Sequence, residues 1–366
     1  MKECAAVKKL LAFVCLLCLL AGCIPARGEK LPSLKELYAG RFDFGAAAPQ
    51  SAFASMELWN LMTDQFSILT PENELKPNYV VNWDKSRELV RETGDQTQVA
   101  VRFSAAKPLL DFAKRHGMKV HGHVLLWHIE TKDAFFHEDY DDKQPWLTRE
   151  TMLGRLENYI REIMAFLDEN YPGLVVSFDV VNEAIDDGSK GLRKSHWYEI
   201  VGEDYVERAF ELARKYAPDY MLLYYNDYNT ADPGKLRGIL ALLEKLMAEG
   251  NIDGYGFQMH HGAFSPGKTA LSNAVQSVAA LGLKLRVSEL DVGIKKLTPA
   301  ALQNQAKKYA EVMRLVLQYA DQFEAVQVWG LTDNMSYRSY EHPLLFDEVC
   351  RPKPAFWAVA DPESVP

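Results

Sequence analysis

From about residue 34 onward, short apolar or β-branched runs alternate with longer segments of helical apolar spacing. The runs are Phe42–Ala48, Phe66–Thr70, Lys119–Trp127, Val175–Glu183, Tyr220–Asp227, Gly254–His260, Leu285–Val292 and Ala325–Thr332. Between them apolar residues recur three or four apart, as in Leu109, Leu110, Phe112 and Ala113, in Leu156, Ile160, Ile163, Met164 and Leu167, and in Leu302, Ala306, Tyr309, Met313 and Val316. Near-continuous apolar runs are strands buried on both faces, and the longer period marks helices packed over them. Eight such strand–helix units predict an α/β fold closed into a (β/α)₈ barrel, the TIM barrel, whose usual length of about 250 residues leaves the excess for loops. No Ser/Gly-rich linker, low-complexity tract or tandem repeat divides the stretch, so residues 34–366 are read as a single domain. No glycine-rich loop follows the first run, which argues against a dinucleotide-binding sheet. Gly254-Tyr255-Gly256 lacks the third glycine and is assigned to strand packing.

The first residues follow a different pattern. Lys8 and Lys9 lead into an apolar run from Leu10 to Leu20, too short to span a bilayer comfortably and typical of an export signal over residues 1–22. Its end, Leu20-Ala21-Gly22-Cys23, resembles a bacterial lipoprotein signal, in which Cys23 becomes the acylated first residue of an envelope-anchored protein. An ordinary cleaved signal with an incidental cysteine is the alternative. Residues 23–33 then form a short tether reaching about 30 Å at full extension. Cys4, Cys15 and Cys18 fall within the signal, and a lipidated Cys23 leaves Cys350 without a disulfide partner. Cys350 is expected to be a small packed residue rather than a nucleophile.

Composition narrows the partners. A chain of 366 residues with 48% hydrophobic and 25% charged content supports a large core, and its formal charge of -9 repels a phosphate backbone. No basic run interleaved with aromatics reverses that field, so nucleic acid is excluded as a partner, and a monomer is expected.

Carboxylates then stand out against the apolar strands. The fourth run ends Phe178-Asp179-Val180-Val181-Asn182-Glu183, and the seventh reads Leu285-Arg286-Val287-Ser288-Glu289-Leu290-Asp291. In this architecture chemistry gathers at the C-terminal mouth of the strands. Either glutamate alone could cap a helix or pair with an arginine. Both together, with His123, Trp127, His128, Asn226, Asp227, Gln258, His260, His261 and Trp329 at other strand ends, point to glycoside hydrolysis, which needs two convergent carboxylates. Amides, imidazoles and indoles suit the hydroxyls and apolar faces of a sugar. The histidines lack the spacing of a helical zinc site, and no metal or other cofactor is expected. The acidic stretch His137–Asp142 lacks the glycine and terminal glutamate of an EF-hand and is read as a solvated loop. The sequon Asn334-Met335-Ser336 is read as coincidental.

Seven ordered motifs give the chain a family resemblance. Thr70-Pro71-Glu72-Asn73-Glu74-Leu75-Lys76, Gly122-His123-Val124-Leu125-Leu126-Trp127-His128, Asp179-Val180-Val181-Asn182-Glu183-Ala184, Tyr224-Tyr225-Asn226-Asp227-Tyr228-Asn229, Gln258-Met259-His260, Ser288-Glu289-Leu290-Asp291 and Val328-Trp329-Gly330 together resemble the family 10 glycoside hydrolases, over about Leu34 to Trp357. The resemblance implies a retaining endo-β-1,4-xylanase acting on xylan and xylo-oligosaccharides by double displacement. It implies Glu183 as acid/base and Glu289 as nucleophile, about 5 to 5.5 Å apart. It further implies that Asn182 bonds the sugar 2-hydroxyl, that His260 and Asp291 hold Glu289 in place and ionised, and that Glu72, Asn73, Lys76, His123, Trp127, Gln258 and Trp329 line the glycone subsites.

Three positions depart from the commonest pattern. Thr131-Lys132-Asp133-Ala134 stands where many relatives carry Thr-Pro-x-Trp, and Tyr337, also expected at the substrate, replaces a late tryptophan. An insertion over Glu88–Val101 is expected to reshape one rim of the cleft. A related endo-β-glycanase cutting mannan or glucan would use the same carboxylates, and differs in whether the glycone subsites accept the C6 hydroxymethyl group. A catalytically silent glycan-binding lipoprotein is the remaining alternative, against which both glutamates and their helpers are retained.

Overall fold

Each of the apolar runs becomes a strand or part of one in a computed structural model, which describes residues 31–366. In chain order the strands are β1 (Asp43–Ala48), β2 (Ile68–Pro71), β3 (Lys119–Leu126), β4 (Val175–Asn182), β5 (Leu222–Asp227), β6 (Gly254–Phe257), β7 (His260–Gly262), β8 (Lys284–Gly293) and β9 (Phe323–Val328). Neighbours run β6-β5-β4-β3-β2-β1-β9-β8, and a further pairing of β6 with β8 closes the ring. Every pairing between these strands is parallel. Eight staves with helices between them make this a (β/α)₈ TIM barrel. The short β7 pairs in parallel with the far end of β8. Leu34–Pro366 forms one compact unit. The export signal, Cys23 and most of the tether lie outside the described residues.

Helices form where capping chemistry meets an apolar stripe. Thr148 accepts a hydrogen bond from the Thr151 amide to start the helix Arg149–Asn170, which buries Met152, Leu156, Tyr159, Ile160, Ile163, Met164 and Leu167. Thr298 caps Pro299–Gln318 in the same way, with proline in the first turn, where its missing N–H costs nothing. Each large aliphatic side chain so buried contributes about 1.5–3 kcal/mol, and the stripe recurs because both helices lie along the barrel's outer face.

Inside the ring one layer is polar. Arg286 of β8 is 1% exposed. Its guanidinium donates to Ser177 Oγ at 2.8 Å and Gln327 Oε1 at 2.5 Å and contacts His121, while Gln327 passes a 2.7 Å bond on to Thr70 Oγ1. A buried cation is tolerated only with such partners.

Two runs end differently from the sequence expectation. The sixth divides because Met259 takes φ +59, which turns the backbone between β6 and β7. The eighth leaves the sheet after Val328, so Trp329–Thr332 belongs to the mouth loop rather than the strand. The segment 88–101 is the end of the helix Trp83–Thr93 followed by a loop bonded to the helix Arg149–Asn170 and to the turn at Asp139. Gln96 donates to Asp139 at 2.7 Å, Arg155 to the Gln96 carbonyl at 2.8 Å and Asn158 to the Thr97 carbonyl at 2.9 Å. In the acidic stretch, Glu138, Asp139 and Asp142 are exposed, but His137 and Tyr140 are buried. Cys350 is a part-exposed thiol in a turn, at φ +58, rather than the packed residue expected from the sequence.

Candidate active site

Where β4 ends, the backbone turns sharply. Glu183 has φ +57, uncommon for a residue with a Cβ, and its amide donates to the Asn226 carbonyl of β5 at 2.9 Å. That turn aims the carboxylate into the mouth of the barrel. Trp127 Nε1 donates to its Oε2 at 3.0 Å, and Gln258 Nε2 and Asn182 Nδ2 donate to Oε1 at 3.0 and 3.2 Å. Donors therefore reach it from the ends of three different staves.

Glu289 stands within β8 and is 5% exposed. Asn226 Nδ2 donates to its Oε1 at 2.7 Å, and His260 Nε2 lies 3.1 Å from its Oε2. The Asn226 amide is itself fixed, since Ser288 Oγ donates to its Oδ1 at 2.6 Å. Asn226 Nδ2 also donates to Asn182 Oδ1 at 3.0 Å, as does Gln258 Nε2 at 3.1 Å. The two glutamates thus share one amide network, through Asn182 and Asn226, although they are distant in sequence.

Electrostatics separates the residues further. His260 Nδ1 pairs with Asp291 at 2.8 Å, so the imidazole has a carboxylate at each nitrogen. Burial opposes its charged form, but the charge and hydrogen bond of Asp291, with those of Glu289, outweigh burial and raise the imidazole pKa to about 10. Burial also acts to raise the pKa of Glu289. The His260 hydrogen bond and the His123 and His260 charges outweigh it and hold Glu289 below the ordinary carboxylate value. Arg338 supplies Asp291 with a further cationic partner.

The remaining sequence-selected residues ring these carboxylates. His123 Nδ1 bonds Asp179 at 2.8 Å, and its ring stands edge-on to Trp329 at 5.3 Å. Lys76 donates to Asn73 Oδ1 at 2.9 Å and lies 5.1 Å from the Trp127 ring centroid. Burial lowers the Lys76 pKa, opposed by Glu289 and nearby acids, and burial raises that of Glu72. Tyr337 is 57% exposed, with its ring 5.4 Å from His260. The mouth thus combines a carboxylate held ionised, a second one within hydrogen-bond reach of amide and indole donors, and aromatic faces beside both. That set can attack and protonate a glycosidic bond.

Several contributors, Ser288 among them, were not selected from the sequence as site residues. Asp179 had a usable signal, as a charged residue in a strand otherwise apolar around it. Arg338, which bonds Asp291, and Arg193, which bonds the Glu183 carbonyl, had none, because both sit in loops without periodicity.

The family model described as Glycosyl hydrolase family 10 matches residues 33–362. The chain is 35% identical over 339 residues to endo-1,4-beta-xylanase B of Butyrivibrio fibrisolvens, covering 89% of this chain but 52% of that protein. It is 33% identical over 353 residues to the beta-1,4-xylanase of Dictyoglomus thermophilum, covering 91% and 92%. The chain therefore spans about half the length of the first relative and most of the second. Among solved structures, the xylanase modules of Clostridium thermocellum complexed with xylohexaose superpose with a TM-score of 0.83 at 31% identity, covering 92% of this chain and 68% of that one. An intracellular xylanase of Thermoanaerobacterium saccharolyticum complexed with xylotriose gives 0.81 at 31% identity, covering 91% and 99%.

Proposed function

This chain belongs to glycosyl hydrolase family 10, and from that membership and its mouth geometry we propose that it is an endo-β-1,4-xylanase cleaving xylan and xylo-oligosaccharides with retention. The observation that carries the proposal is the bridging of Glu289 and Glu183 by Asn226 and Asn182. In the first displacement Glu289 attacks the anomeric carbon, and Glu183 gives its proton to the leaving oxygen. In the second, Glu183 takes a proton from water, which then breaks the glycosyl–Glu289 ester. His260 and Asp291 keep the nucleophile charged, Asn182 offers its amide to the 2-hydroxyl, and Lys76, Asn73, Glu72, His123, Trp127, Gln258, Trp329 and Tyr337 hold the glycone sugars. The named substrates of the relatives support xylan over other β-1,4-glycans.

The test is Glu289→Ala, assayed by reducing-end release from xylan, mannan and carboxymethylcellulose alongside the wild type. Wild-type activity is expected on xylan, with a loss on the order of 10⁴-fold or more in the variant, while the melting temperature and xylo-oligosaccharide binding persist. Unchanged turnover in the variant removes Glu289 from its role, and wild-type activity confined to glucan or mannan overturns the xylan assignment.

The same reading includes an envelope anchor through acylated Cys23, supported by the Leu20–Cys23 signal pattern. Cys23→Ser is expected to abolish fatty-acid labelling and release the protein from the membrane fraction. Labelling that survives the substitution contradicts the anchor.

A further inference from the structure

The residue that delivers the proton is held in an uncommon backbone conformation, and something must keep it there. Glu183 sits at φ +57, and a left-handed residue with a Cβ costs about 1–3 kcal/mol unless its surroundings fix it. One restraint is the amide bond to the Asn226 carbonyl. The other comes from ten residues downstream, where Arg193 Nε donates to the Glu183 carbonyl at 3.2 Å.

The intervening loop folds back on itself to bring Arg193 there. Ile185 and Leu192 form an antiparallel bridge, and the Arg193 amide donates to the Ala184 carbonyl at 2.7 Å. The guanidinium spends its other nitrogens on anchoring: Nη1 pairs with Asp186 at 3.3 Å, and Nη2 donates to the Tyr228 hydroxyl at 3.4 Å. Tyr228 in turn donates to Asp187 at 2.5 Å. Lys235, fully buried, joins Asp187 at 3.1 Å to Asp227 of β5 at 2.9 Å and lies 3.4 Å from the Tyr228 ring centroid. The Glu183 carbonyl is therefore tied, through one planar fork, to an ion cluster rooted in the next stave. Lysine could supply the charge but not three donors in fixed directions.

From this we infer that Arg193 is a positioning residue for proton transfer, fixing the turn at Glu183 so that its carboxyl meets the leaving oxygen. The inference rests on the acid/base reading of Glu183. Arg193 donates to the backbone carbonyl of Glu183 rather than to its carboxylate, so its loss misplaces the acid without removing it.

Leaving-group dependence separates this role from a merely structural one. A sugar alcohol leaves only if protonated, whereas dinitrophenolate leaves unaided, so kcat/KM on a dinitrophenyl β-xylobioside does not need the acid in the first displacement. In Arg193→Met, kcat/KM on xylotetraose is expected to fall about 10- to 100-fold, the scale of a misplacement of about 1 Å, while the dinitrophenyl value stays within about 2-fold. Arg193→Lys is expected to recover part of the loss, and Tyr228→Phe, which removes one anchoring hydroxyl, to reproduce a smaller version of the same split. Equal losses on both substrates, or no loss on xylotetraose, in a variant that still melts cooperatively would overturn the inference. Glu183→Gln measured in parallel should show the same split in larger form. If it does while the Arg193 variants do not, only the positioning role fails. If it loses both substrates equally, the acid/base reading fails and takes the inference with it.

Discussion

His260 has a carboxylate at each ring nitrogen, and that arrangement bears directly on how Glu289 responds to pH. The raised imidazole pKa, about 10, keeps the ring charged through the neutral range, and the depressed Glu289 pKa keeps the carboxylate charged beside it. The signs follow from linkage. The histidine's contribution to stability is complete below its unfolded value of about 6.5 and is lost as pH rises through its folded value. The contribution of Glu289 is present above the ordinary carboxylate range and is lost as pH falls below it. Replacing His260 by glutamine removes the cation while leaving the burial that pushes Glu289 upward. With Glu289 as the proposed nucleophile, the acid limb of kcat/KM reports its ionisation and is therefore expected to move to higher pH in His260→Gln. A pH–rate profile from acid to neutral checks this, and an unmoved acid limb would mean that His123 and Asn226 keep the carboxylate ionised without His260. Asp291 keeps its bond from Arg338 in that variant, so the shift should reflect Glu289 rather than collapse of the pair.

At the level of the strand, a missing side chain does as much as a present one. Gly256 of β6 lies beside Asn226 of β5, and a Cβ there would come within 2.4 Å of Asn226 Oδ1 and 3.4 Å of Ser288 Oγ. Asn226 cannot give way without letting go of Glu289. Gly256→Ala is thus expected to cost about 1–3 kcal/mol of stability through overpacking, and to lower kcat/KM about 10-fold or more through displacement of the amide. Thermal melts and xylan kinetics on the same preparation test both halves. A lowered melting temperature with unchanged kinetics would show that the amide bridge to Glu289 does not matter for turnover. The glycine itself is visible in the sequence, where Gly254-Tyr255-Gly256 reads as strand packing, but its particular neighbour is not. The same divide runs through the fold. Strands such as β3 and β4 announce themselves because apolar runs buried on both faces have no other way to hide their backbone. The break at Met259 depends on a single φ angle, which no periodicity encodes, and Trp329–Thr332 read as strand because its composition is that of the strand it follows. Charged residues in or at the ends of strands, such as Glu183, Glu289 and Asp291, were legible for the opposite reason, as polar groups where burial alone would place apolar ones. The approaches of Arg193 and Arg338 depend on where loops land once the barrel has closed.

Across the whole molecule, the mouth loop is tied to the end of the chain by a buried ion pair. Lys353 Nζ donates to both carboxylate oxygens of Asp333, at 3.1 and 2.9 Å, and to the His342 carbonyl at 2.7 Å, while the Leu344 amide donates to Asp333 Oδ1 at 2.7 Å. Asp333 lies between Trp329 and Tyr337 along the chain, so the loop carrying both aromatics is held from its middle. Lys353 immediately precedes the helix Pro354–Ala360, where the Val359 carbonyl accepts a bond of 2.5 Å from the Tyr38 hydroxyl near the start of the barrel. Burial raises the Asp333 pKa and lowers the Lys353 pKa, and each charge is tolerated because the other is there. Asp333→Ala is accordingly expected to destabilise the fold by about 3–5 kcal/mol, since it leaves an uncompensated buried ammonium. Asp333→Ala combined with Lys353→Met should be more stable than the single variant, because the stranded charge is gone. Urea unfolding midpoints of the two variants and the wild type decide the matter. A double variant no more stable than the single one would mean that the Asp333 bond to the Leu344 amide, rather than the ion pair, holds the loop.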